Sequence, residues 1–71
     1  MNAFEKAKRR YLIGKFMDLN VGQFEEMDSL TNQQLSDLID DLSRAQRDDR
    51  LDLETEQGLI TLQEIVEGYL D

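Results

Sequence analysis

Thr31 stands three residues before Gln34, and from there Leu35, Leu38, Ile39, Leu42 and Ala45 recur at helical spacing. This pattern constrains the fold more than any other part of the chain. The Thr31 hydroxyl can accept from the Gln34 amide while the Gln34 side chain returns to the Thr31 amide, which is a capping box. Leu30 and Leu35 flank it as a hydrophobic staple. A helix over about 32–47 follows, with one apolar stripe for a core, and Arg44 and Arg47 in its last turns meet the negative end of the helix dipole.

Two further helices read on either side of it. Asn2 can cap a helix from Ala3 to about Leu19 that ends before Asn20 and Gly22. On its surface Phe4, Ala7 and Tyr11 share one side, Leu12, Phe16 and Leu19 another, and Ile13 with Met17 a third. Its second half is thus apolar nearly all round, and a helix packed on two neighbours cannot bury every side. A third helix is expected over about 53–69, capped by Asp52 or Asp49, with Thr55, Leu59, Leu62, Val66 and Tyr69 on a core stripe and Ile65 and Leu70 at its edges. Gly58 and Gly68 weaken it, and Gly58 is a place where it could break, leaving residues 52–57 as a separate turn. Phe24 and Met27 are spaced as a short helical turn over about 23–28 would place them. The expected class is all-α: one domain over residues 1–71 with three helices and a short fourth turn. In 71 residues a single core supplies only about 3–5 kcal/mol, and small chains commonly add a disulfide, a metal or a partner.

The chain has no cysteine and no histidine. Disulfides and thiolate ligands are excluded, together with the commonest metal ligand and the commonest acid/base group near neutral pH. Of the usual supports this leaves oligomerisation, and a homodimer is expected to form through part of the segment Tyr11, Leu12, Ile13, Phe16, Met17 and Leu19. The basic opening Lys6, Lys8, Arg9 and Arg10 followed by Tyr11, Leu12 and Ile13 begins like a signal peptide, but Lys15 and Asp18 interrupt the apolar run too early. No run approaches the roughly 18–20 apolar residues of a membrane span. The chain reads as soluble and cytoplasmic.

Catalysis finds no support in the sequence. There is no glycine-rich phosphate loop, no motif that would activate Ser29, Ser36 or Ser43, and no room for a cleft that would separate the pKa values of paired carboxylates. Asp52, Glu54 and Glu56 alternate as the first ligands of a calcium loop do. Counted from Asp52, however, the positions that need glycine and glutamate carry Gln57 and Gln63, so no metal or other cofactor is expected.

Charge is divided along the chain. Residues 1–15 carry five cations against Glu5, a net +4, and the remaining 56 residues carry three arginines against fifteen acids, a net −12, which together give the formal −8. The two poles either attract each other within the fold, solvate it, or recognise a partner. After Arg50 there is no cation, while Asp52, Glu54, Glu56, Glu64, Glu67 and Asp71 are negative, so phosphates would repel the third helix. Direct nucleic-acid binding, if any, falls to Lys6, Arg9 and Arg10, and is not the expected activity. Asp37, Asp40 and Asp41 share one face of the second helix, where they either imitate a phosphate backbone or form a solvated face with Asp40 paired to Arg44. Amphipathic membrane contact by the first helix lacks a clean apolar face. By elimination the chain reads as a non-enzymatic protein–protein interaction module that docks on and regulates or adapts a larger protein. The expected contact residues are Tyr11, Ile13 and Met17 on the first helix or Asp37, Asp40 and Asp41 on the second. A nucleic-acid-binding regulator and an acidic nucleic-acid mimic are the alternatives.

Overall fold

A computed structural model describes residues 2–22 and 24–70. The fold is all-α. Helix α1 spans Ala3–Asp18, a 3₁₀ turn spans Glu25–Ser29, α2 spans Asn32–Arg47 and α3 spans Glu56–Glu67. The expected start of the short turn, Gln23, lies outside the described residues, as does Asp71.

The capping box forms as its sequence demands: Gln34 N donates to Thr31 Oγ1 at 3.1 Å and Thr31 N donates to Gln34 Oε1 at 2.8 Å. With its start fixed, α2 turns its whole apolar stripe inward, and Leu35, Leu38, Ile39, Leu42 and Ala45 are all buried. Asn2 caps α1 by accepting from Glu5 N at 2.8 Å. Both α1 and α2 end on a residue with φ 57°, Asn20 and Asp49, in the left-handed region that lets the chain turn out of a helix. After α2 the closure is complete, because Asp49 N donates to Gln46 O and Arg50 N donates to Ala45 O.

The side-chain bonds between α1 and α2 fix their direction. Asn32, at the start of α2, donates to the Glu5 carbonyl at 3.1 Å, and Gln46, in its last turn, donates to the Leu19 carbonyl at 2.7 Å. The two helices therefore run parallel, and residues 20–31 must return along the length of α1. Two anchors hold that return. Phe24 meets Phe16 edge-on, with ring centroids 5.8 Å apart. Arg9 donates to the carbonyls of Met27, at 2.9 Å, and Leu30, and to Asn32 Oδ1 at 3.3 Å. One guanidinium thus closes the end of the 3₁₀ turn and ties it to the start of α2. Replacing Arg9 with methionine should cost about 1.5 kcal/mol, since hydrogen bonds to a charged group are lost and carbonyls are left unpaired. Arg10→Met, on an exposed residue, should leave the urea midpoint unchanged.

Helix α3 runs antiparallel to α2, starting near the end of α2 and returning until the Tyr69 hydroxyl donates to the Asp41 carboxylate. Its start differs from the expected one. Thr55, not Asp52 or Asp49, is the N-cap, accepting from Gly58 N at 3.0 Å and donating to Asp52 O at 2.8 Å. The cause is a close approach within the turn itself. Gly58 is buried against the backbone of Asp52, so the turn before the helix folds back over its first residues. Gly58 therefore does not break α3 but lies in its first turn, and Thr55 leaves the core stripe to become an exposed cap.

The core consists of Leu12, Phe16, Leu30, Leu35, Leu38, Ile39, Leu42 and Ala45. Leu62, Ile65, Val66, Tyr69 and Leu70 cover it only in part, and Leu59, expected in the stripe, is 51% exposed. No side chain of α3 is fully buried among the described residues. No described helix is long and apolar enough to cross a membrane.

Candidate interaction surface on the first helix

Helix α1 presents its Leu12 and Phe16 side to α2 and turns away everything about half a turn from it. At about 100° per residue, Phe4, Tyr11 and Lys15 form one edge of the outward face, with the exposed Lys8 beyond it toward Leu12, and Lys6, Arg10 and Met17 form the other, with Ala3, Ala7 and Gly14 between them. Three large apolar side chains on this helix stand in solvent: Phe4 at 74%, Tyr11 at 56% and Met17 at 55% exposure. Lys15 Nζ lies 5.5 Å from the centre of the Tyr11 ring, a cation–π contact that orients the ring without covering it. A Cβ added at Gly14 would meet nothing within 4 Å, so no neighbour in this fold requires a glycine in mid-helix.

The residues expected to act at this surface divide. Tyr11 and Met17 are on it. Ile13 is half-buried and packs against the core, so it is shared between fold and surface. Phe4, the most exposed large apolar residue, was not among the expected contacts, although its place on the Tyr11 side, away from Leu12 and Phe16, is readable from helical spacing. Of the three basic candidates, Lys6 and Arg10 are exposed, whereas Arg9 is the clamp on residues 27–32. The exposed cations of α1 are thus Lys6, Arg10 and Lys15 on the outward face and Lys8 on its flank toward Leu12.

The acidic candidates on α2 divide too. Asp37 accepts from Gln33 Nε2 at 3.0 Å and Asp40 is exposed. Asp41 accepts from Tyr69 and pairs with Arg44 at 3.1 Å. The expected Asp40–Arg44 pair is therefore replaced by Asp41–Arg44, so that one carboxylate serves both Tyr69 and Arg44 through its two oxygens. This is the one ion pair among the described residues, and the cations of α1 make none with the acidic body.

The Tyr69 pKa is pushed up from 10.0 to about 12, chiefly by its hydrogen bond to Asp41, then by burial and by the negative charges of Asp41 and Asp37, with Arg44 acting weakly in the opposite sense. A raised folded-state pKa means that the stabilisation is complete below pH 10 and is lost as pH rises from 10 toward 12. Urea unfolding across that window should show a decline in wild type whose Tyr69 share is absent from Tyr69→Phe.

No group of three or more carboxylates among the described residues is gathered as a metal site would need. Comparison of the chain with family models, with curated proteins and with solved structures finds no match.

Proposed function

We propose that the chain is a non-enzymatic protein–protein interaction module, cytoplasmic and self-associating, which docks through the outward face of α1 and regulates or adapts a larger protein. The observation that carries this reading is the exposure of Phe4, Tyr11 and Met17 on one helix, rimmed by Lys6, Lys8, Arg10 and Lys15. Large exposed apolar side chains rimmed by charged residues are the mark of an interaction site on a protein surface. The face offers apolar anchors that act by desolvation and cations that favour encounter with an acidic surface.

The acidic face of α2 is the weaker docking candidate, because Asp41 is engaged by Tyr69 and Arg44 and, among the described residues, only Asp37 and Asp40 form no hydrogen bond or ion pair outside α2 itself. Direct binding to nucleic acid has a narrow basis, since Arg9 is engaged internally and α3 has no cation. Fluorescence anisotropy with random-sequence duplex DNA at physiological salt should show no binding. Micromolar affinity that falls steeply with salt and is lost in Lys6→Ala/Arg10→Ala would replace docking by nucleic-acid recognition.

The docking reading is tested on a partner captured from host lysate and identified by mass spectrometry. Its affinity should fall for Tyr11→Ser/Met17→Ser and hold for Asp37→Asn/Asp40→Asn. If neither pair changes the affinity, or only the acidic pair does, α1 is not the docking face.

A further inference from the structure

We propose that the outward face of α1 docks on α3 of a second copy of this chain. This rests on the reading of α1 as a docking face and names what the face receives.

Helix α3 carries the complement of α1. Its outward side holds Leu59, 51% exposed, and Ile60, 39% exposed, among Glu56, Glu64 and Glu67. No cation lies on α3, and none of these glutamates has an ion-pair partner among the described residues. Each copy thus has one helix that is apolar with unpaired cations and another that is apolar with unpaired carboxylates. The two poles do not satisfy each other within the fold: Arg9 is engaged by carbonyls and Asn32, and Lys6, Lys8, Arg10 and Lys15 form no ion pair with a described acid. Two copies satisfy both.

The dimensions agree. Sixteen residues of α1 and twelve of α3 give rods of about 24 and 18 Å. Beside Leu59 an apolar groove lined by Phe16, Val21, Phe24, Leu62 and Val66 has a volume of about 200 Å³, enough to admit the end of a large side chain of the incoming helix. Ala3, Ala7 and Gly14 along the middle of the α1 face let a second helix approach closely. A two-fold axis would make the α1-to-α3 contact twice and close the association at two copies, whereas a single head-to-tail contact would extend it. It also supplies the outside support that a small core without disulfide or metal lacks.

Exchange of charge between the two helices tests this. Lys6→Glu/Arg10→Glu reverses the charge on the outward face of α1, and Glu64→Lys/Glu67→Lys makes α3 basic. Both changes respect the helix dipole, with acids in the first half of α1 and cations toward the end of α3, so circular dichroism should show both variants folded. In sedimentation velocity at low salt and high micromolar concentration, wild type should be a dimer that weakens as salt is added. Each variant alone should be monomeric, and an equimolar mixture of the two should recover the dimer, because every α1-to-α3 contact is again between opposite charges. As a check that does not depend on charge, Leu59→Gln should also lose the dimer. A monomeric wild type, a dimer that survives in either charge variant alone, or a mixture that stays monomeric overturns the proposal. A monomeric wild type would leave docking on a different protein intact, since that is read separately from Tyr11 and Met17 variants against the captured partner.

Discussion

Gly58→Ala should destabilise the protein by about 2–3 kcal/mol, although alanine in place of glycine within an ordinary helix gains about 1 kcal/mol. A Cβ built at Gly58 would lie 1.9 Å from the Asp52 carbonyl oxygen, 2.5 Å from its carbon and 2.8 Å from Asp52 N. These are backbone atoms and cannot swing aside as a side chain would. To admit the methyl group the turn before α3 must move, and with it go the bonds from Gly58 N to Thr55 Oγ1 and from Thr55 Oγ1 to Asp52 O that cap the helix. A lost cap alone costs about 1 kcal/mol. Urea denaturation decides the sign: a midpoint that rises in Gly58→Ala would mean that the turn does not pack on α3 as described. Gly14→Ala is the contrast, since nothing in the same copy stands within 4 Å of its Cβ, and at concentrations too low for self-association the helix gain should appear undiminished.

Leu38→Ala should have the largest effect. Leu38 is fully buried at the middle of α2, the helix that packs against both of the others. Truncating a buried leucine costs about 2–5 kcal/mol, through lost transfer energy and the cavity left behind. A core that supplies about 3–5 kcal/mol cannot absorb that loss, so a large part of the population should be unfolded at 25 °C without denaturant. Far-ultraviolet circular dichroism with and without urea measures the fraction. Ile60→Ala, at a residue 39% exposed on α3, should keep the helical signal under conditions in which Leu38→Ala loses it. Equal signals in the two variants would contradict the core as described.

Legibility from sequence followed the range of the interactions. Helix α2 was readable in full because its cap, its stripe and its end all lie within the segment, and the Asn2 cap of α1 was readable for the same reason. The start of α3 was not, because it is set by Gly58 meeting the Asp52 backbone, and spacing alone cannot show that a glycine is needed for close approach. The parallel course of α1 and α2 depends on Asn32 and Gln46 reaching carbonyls 27 residues away, for which no local pattern exists. Arg9 is intermediate. As one of four early cations it looked like a phosphate contact, yet it stands three residues before Leu12 and seven before Phe16, on the buried side of α1, where a cation must find carbonyls. Tyr11 and Met17 were readable as surface because α1 has more apolar residues than one side can bury. Leu59 was not, since a stripe at helical spacing does not reveal that α3 covers the core with only part of its width.

The central claim, that the outward face of α1 meets α3 of a second copy, is tested most directly by following backbone amide chemical shifts of the wild-type chain on dilution from high to low micromolar concentration at low salt. Shifts should change along α1 at Phe4, Lys8, Tyr11 and Lys15 and along α3 at Leu59, Ile60 and Gln63, while the amides around Asp37 and Asp40 stay in place. Shifts that do not change on dilution, or that change only around Asp37 and Asp40, would contradict it.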